Sequence, residues 1–279
     1  MVLAAAVAHA VWNLASKYKR GDALLFVCAY TCASALLCVP IGIVFMAKGQ
    51  QVLDWRLAAG AAVSAVLHTA YSLTLQAGYD RAELGVIYPV ARGTAPVISM
   101  LWAISLLGEQ LTVAAMFGAS LVVAGVLVVT GNPFRGASRR PLQGLLWGAA
   151  TGATIAAYTV WDGYSIVALH LAPVSYYAAT LLLQSLILFP GVLRRRHRIW
   201  AAIRVDAVPI LIVAVFSPLA YILVLTAMRE APVALVAPLR ESSIVIGSLV
   251  ACRLFREGHL ARRIAGAVIV LAGIAAISF

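Results

Sequence analysis

Ten apolar stretches joined by short polar connectors take up almost the whole of this 279-residue chain. They run over Val2–Ser16, Leu24–Ala47, Leu57–Ala77, Leu84–Leu107 and Val113–Gly131, then Leu142–Ala168, Val174–Leu193, Ala207–Ala227, Val233–Leu254 and Leu260–Phe279. A helix needs roughly 20 mostly apolar residues to cross the hydrocarbon of a bilayer. Hydrophobic residues make up 63% of the chain and charged residues 11%, where a soluble domain carries roughly 25% charge. No water-soluble fold hides that much apolar surface, so lipid must be part of the solvent. The expected class is an all-α integral membrane protein with ten transmembrane helices and no separate soluble domain.

The chain also repeats itself. A shift of 148 to 150 residues lays Val11-Trp12-Asn13 on Val160-Trp161-Asp162, Pro40 on Pro190, Ala70-Tyr71 on Ala220-Tyr221, Arg92 on Arg240 and Glu109 on Glu257. Gly118 and Ala124-Gly125 fall on Gly266 and Ala272-Gly273. One such match is chance, but a steady offset across five spans indicates duplication. The expected organisation is a first repeat over residues 1–131, a connector over 132–141 and a second repeat over 142–279. Five is odd, so the second copy enters the membrane upside down relative to the first.

Loop charge gives these halves a direction. Of 21 lysines and arginines, sixteen lie in connectors on the side opposite the N-terminus. Lys48, Arg56 and Arg229 lie on the N-terminal side, and Arg92 and Arg240 lie inside spans. Basic connectors stay in the cytoplasm, which places both termini outside. The same rule accounts for the formal charge of +11 without nucleic acid as a partner. Cys28, Cys32, Cys38 and Cys252 sit inside apolar spans with no metal-type spacing, so they read as packing residues. Residues 1–16 lack a basic leader and read as the first span, not as a removed signal peptide.

Two stretches carry a family resemblance over essentially the whole chain. These are Ala8-His9-Ala10-Val11-Trp12-Asn13 with Lys17 in span one, and Tyr88-Pro89-Val90-Ala91-Arg92-Gly93-Thr94-Ala95-Pro96 in span four. Gly108-Glu109-Gln110 before span five and Arg256-Glu257 before span ten extend the match. The sequence resembles the EamA-type members of the drug/metabolite transporter superfamily. That resemblance implies a ten-span carrier of small molecules, with export as the direction. Better-studied relatives are usually drawn with cytoplasmic termini, the reverse of what the loop charges imply here.

Polar side chains within spans are costly in hydrocarbon and default to functional roles. His9, Trp12 and Asn13 share one face of span one, and the repeat sets Tyr158, Trp161 and Asp162 at the matching positions of span six. They are candidate substrate contacts at a repeat interface; the competing reading is that the tryptophans anchor packing and Asn13 makes an interhelical hydrogen bond. Arg92 and Arg240 follow Pro89 and Pro238, and each needs a carboxylate, a carbonyl, water or an anionic substrate. Asp162 and Glu241 are the intramembrane acids that match them two for two. Arg240 and Glu241 point about 100° apart on a helix and are not expected to pair with each other. A guanidinium fork suits a carboxylate, phosphate or phosphonate; a purely structural ion-pair network is the alternative. His68, Tyr71, Tyr88, Tyr177 and Tyr221 complete the candidate substrate site. Asp162, Glu241, His9 and His68 are the titratable candidates for proton coupling.

Glu109 and Glu257 are expected to cap spans five and ten. The glycines seven apart in each copy suit close packing of those spans, with a dimer seam as a further use. Pro40, Pro89, Pro190 and Pro238 are candidate hinges. No nucleophile elbow, HExxH pair or P-loop occurs, so neither an enzyme, a cofactor nor a metal is expected. Channel-type charge rings are missing too. The sequence therefore points to a secondary transporter, monomeric or homodimeric, in a cytoplasmic membrane. It would export or exchange small amphipathic metabolites such as amino acids or related anionic compounds by alternating access around a central cavity.

Overall fold

The computed structural model describes residues 1–16, 18–81, 84–130, 141–241, 243 and 260–278. Among them the chain forms α1 (Val2–Ser16), α2 (Ala23–Ala47), α3 (Trp55–Arg81), α4 (Leu84–Leu107), α5 (Val113–Thr130) and α6 (Pro141–Val167). There follow α7 (Pro173–Leu193), the short α8 (Ile199–Val205), α9 (Ala207–Ala227), α10 (Val233–Arg240) and α11 (Leu260–Ser278). Most of the expected connector lies outside the described residues, as do Lys17, Arg256 and Glu257.

Helix starts follow from local chemistry. Asp22 caps α2 by accepting the Leu24 and Leu25 N–H groups. Asp54 does the same for Leu57 in α3, and the Thr112 hydroxyl accepts from Ala115 in α5. Each satisfies a donor that the first helical turn leaves open. α7 begins on Pro173, whose missing N–H costs nothing there. Pro40, Pro190 and Pro238 lie within α2, α7 and α10, and Pro218 within α9.

Five helical segments are long and apolar enough to cross a membrane: Ala23–Ala47, Trp55–Leu75, Val90–Leu107, Pro173–Leu193 and Ala207–Ala227. Val2–Ser16, Val113–Val128 and Ile264–Ala276 are shorter apolar helices. Lipid as solvent is visible in the side chains that face outward. Leu36 is 77% exposed, Phe117 62% and Leu271 65%, exposure that water would penalise and acyl chains do not.

The described chain forms two compact units, and neither coincides with one half of the sequence. The first draws on Leu3–Ser72 and Trp161–Arg229. In it α2 packs on α7 and α9, burying Leu25, Val27 and Cys28 with Leu188 and Val192, and Phe26 with Ile210 and Val213. Two side chains fix its connectors. The Asp206 carboxylate accepts the Arg20 and Gly21 N–H groups at 2.8 and 2.9 Å, and the Gln51 amide oxygen accepts that of Ala172 at 2.7 Å.

The second unit draws on Leu73–Val160 and Glu230–Phe279. Its tightest contact joins α5 to α11, with Val122, Val126 and Val270 between them. A Cβ placed on Gly125 would lie 2.8 Å from the Gly266 carbonyl oxygen, and one on Gly273 would lie 2.6 Å from that of Gly118. The duplicated glycines therefore let two backbones of one chain touch. Glu109 departs from expectation. It caps α10 and not α5, with its carboxylate on the N–H groups of Val233 and Ala234, while Thr112 performs the local task at α5. The connector sequence alone did not show that α10 begins beside it.

Candidate functional site

In the second unit, α10 delivers a charged cluster where its regular winding stops. Pro238 has no N–H to give, and the Glu241 N–H bonds back to Pro238 O at 3.0 Å, one residue short of the α-helical reach. Glu241 has ψ −11° and stands in a turn at the helix end. The span expected over Val233–Leu254 thus closes a helix at Arg240.

This turn explains a pairing that regular helix geometry argued against. Arg240 Nε and Nη2 donate to Glu241 Oε1 at 3.3 and 3.2 Å. The second carboxylate oxygen accepts Arg92 Nη1 from α4 at 3.0 Å. Arg240 also donates to the Thr159 hydroxyl at 3.4 Å, and its guanidinium lies 5.9 Å from the centre of the Tyr158 ring. All three charged residues are buried, Glu241 to 1% exposure. Two cations therefore converge on one anion, and the triad carries a formal charge of +1.

The first unit holds Asp162, and among the described residues no arginine pairs with it. Asp162, on α6, has no exposed surface. Its Oδ1 accepts the Tyr176 hydroxyl at 2.6 Å, and its Oδ2 meets the Tyr221 hydroxyl and His68 Nε2, the latter at 3.1 Å. The two-for-two matching of acids and arginines thus gives way to two arginines on Glu241 and an imidazole with two phenols on Asp162. Rings close over this carboxylate. His68 stands edge-on to Tyr221 at 5.2 Å, and Tyr177 lies 4.8 Å from Tyr221 and 6.2 Å from His68. The Trp161 indole donates to Gly60 O at 3.0 Å, an oxygen that Tyr176 also approaches at 3.4 Å.

The remaining candidates are more dispersed. Asn13 donates to the His9 carbonyl of its own helix at 2.9 Å, and His9 packs edge-on to Trp12 at 4.8 Å. Trp12 leans on the cluster around Phe26 and Ile210. Tyr71 is half-buried on α3. Tyr88 and Pro89 fall in α4, but their side chains lie outside the described residues. Tyr176 is not among the residues that the sequence placed in the candidate site. Its closeness to Asp162 depends on how α7 meets α6, which no spacing within the chain reveals.

Long apolar helices with exposed apolar faces, and charged groups buried within each unit, mark an integral membrane protein. The EamA-like transporter family matches residues 1–131 and 142–279. The chain belongs to that family, and with it to the membrane transporters of the drug/metabolite transporter superfamily. Among solved structures, one crystal structure of a protein is similar over 100% of this chain and 98% of its own, with a TM-score of 0.73 at 17% identity. At that identity the likeness concerns the fold. No curated protein matches the sequence.

Proposed function

We propose that the protein is a secondary transporter that exports or exchanges small amphipathic metabolites carrying an anionic group, with amino acids and their analogues foremost. It would work by alternating access between two inverted repeats of five spans, residues 1–131 and 142–279, in a cytoplasmic membrane with both termini outside. The observation that carries the reading is the convergence of Arg92 and Arg240 on the one carboxylate of Glu241. Ionisable side chains inside a membrane bundle default to functional roles, and two guanidinium forks suit a carboxylate or phosphonate. Pro40, Pro89, Pro190 and Pro238 would supply the bending points, since each removes a helical hydrogen bond.

A thermal-shift screen of the detergent-solubilised protein tests this. The panel holds glutamate, neutral amino acids and aminophosphonates. Anionic members should raise the unfolding temperature of the native protein and not that of Arg92→Ala or Arg240→Ala. If both variants fold and are still stabilised by those anions, the arginines do not grip the substrate.

A further inference from the structure

One end of the first unit, where the α1–α2 connector meets the stretch between α7 and α9, is strongly one-signed. Lys19, Arg20, Arg194, Arg195, Arg198 and Arg204 stand there against two acids, Asp22 and Asp206. Both acids are already engaged within the protein. Asp206 is buried and accepts the Arg20 and Gly21 N–H groups. Asp22 caps α2 and pairs with Arg195. These bonds hold the two connectors side by side and leave cations in excess, with Arg194, Arg198 and Arg204 exposed.

The short helix α8 adds an apolar side to this charged end. Ile199, Ala202 and Ile203 recur at helical spacing and pack on the clusters around Leu188 and Ile210. The residues between and beyond them turn outward. Trp200 is 74% exposed, Val205 58%, and Arg204 is exposed one turn after Trp200. Water penalises the indole and the valine, and hydrocarbon penalises the guanidinium. The boundary between headgroups and acyl chains suits all three. A helix lying in that plane keeps its aromatic ring at headgroup level and its cations on phosphate.

We propose that α8 and the arginines around it form a binding site for the headgroup of an anionic phospholipid of the phosphatidylglycerol kind. A guanidinium offers two parallel donors to phosphate oxygens, and Arg194, Arg198 and Arg204 supply three such forks. A zwitterionic headgroup brings its own ammonium, which this excess of cations repels; an anionic one does not. The acyl chains of the bound lipid lie against Trp200 and Val205, where a free phosphate would have nothing to cover them. The site depends neither on the transport reading above nor on Arg92 and Arg240.

The test uses the full-length protein in neutral detergent with added dioleoyl-phosphatidylglycerol, dioleoyl-phosphatidylcholine or inorganic phosphate. Phosphatidylglycerol should raise the unfolding temperature at concentrations where the other two do not. Arg194→Gln, Arg198→Gln and Arg204→Gln, alone and combined, should each weaken the apparent affinity for phosphatidylglycerol about five-fold, the usual worth of one basic residue at an anionic surface. Phosphatidylglycerol brominated in its acyl chains should quench native fluorescence more than brominated phosphatidylcholine does, and Trp200→Phe should remove that excess. Should the triple variant fail to fold, the single ones and Trp200→Phe carry the test. Equal stabilisation by both lipids, an equal response to inorganic phosphate, or arginine variants that keep the native preference would overturn the site. An excess of quenching that survives Trp200→Phe would put the lipid elsewhere and overturn it too. None of these results bears on the solute screen, and failure of that screen would leave the lipid preference intact.

Discussion

Glu109 and Val233, 124 residues apart, are joined by a 2.7 Å hydrogen bond in which the carboxylate caps the first turn of α10. Its second oxygen takes the Ala234 N–H at 2.8 Å, so two open donors and the positive end of a helix are met at once. Glu109→Ala should cost about 1 kcal/mol of stability, and Glu109→Gln less, because an amide oxygen still accepts. Thermal unfolding of the solubilised protein measures both. Unfolding temperatures equal to the native one would show that water caps α10 equally well.

The Glu241 triad makes an asymmetric prediction. Glu241→Gln removes the carboxylate that both guanidiniums share and should destabilise by about 3–5 kcal/mol, the usual cost of breaking a buried ion pair. Arg92→Gln leaves a balanced Arg240–Glu241 pair and should cost clearly less. The double variant should lose less than the two single losses added together, as contacting charges do. Additive losses would mean that the 3.0 Å contact between Arg92 and Glu241 carries no energy.

Gly125→Ala puts a methyl group 2.8 Å from the Gly266 oxygen and from the Val270 nitrogen. Both are backbone atoms of α11, so no side chain can swing aside. The expected loss is about 1–3 kcal/mol, typical of overpacking. A tolerated alanine, by denaturation or by yield of folded protein, would disprove the close approach.

Asp22 supplies a pH signature outside the spans. Burial pulls its carboxyl upward, but the Leu25 N–H, Arg195 and the Leu24 N–H together outweigh that and hold it below the ordinary 3.8. A lowered folded value adds stability that is complete above the unfolded value and is lost as pH falls through the folded one. The gap in stability between the native protein and Asp22→Asn should therefore hold from neutral pH down to the ordinary 3.8 and shrink below it. A gap that closes already near neutrality would contradict the assignment.

Orientation has its own measurement. A reporter active only outside the cytoplasm, fused after Phe279, should light up if basic connectors lie inside. Activity of a cytoplasmic reporter at that position would reverse the topology drawn from Lys19, Arg20, Arg194 and their neighbours.

The sequence was most legible where physics is local. Apolar runs marked α2, α7 and α9 almost to the residue, because hydrocarbon thickness sets helix length. The glycine spacing foresaw contact between α5 and α11, since backbone approach demands small residues. Pairing was harder. Glu109 looked like a local cap because its helix partner lies on a remote stretch of chain. Arg240 and Glu241 looked divergent because a regular helix was assumed past Pro238. Asp162 was marked by its cost in hydrocarbon, yet its companions Tyr176 and Tyr221 come from other helices and only packing brings them together.

The interleaved make-up of the two compact units bears on how the chain matures. A ribosome that has inserted residues up to Val160 has completed neither unit, since each still awaits a later stretch. The first can close once Arg229 is out; the second needs Glu230–Phe279. α11, the 19-residue helix Leu260–Ser278, therefore arrives well after α5, on which it packs against Val122 and Val126. A chain cut short before Leu260 would leave that face of α5 bare in the bilayer.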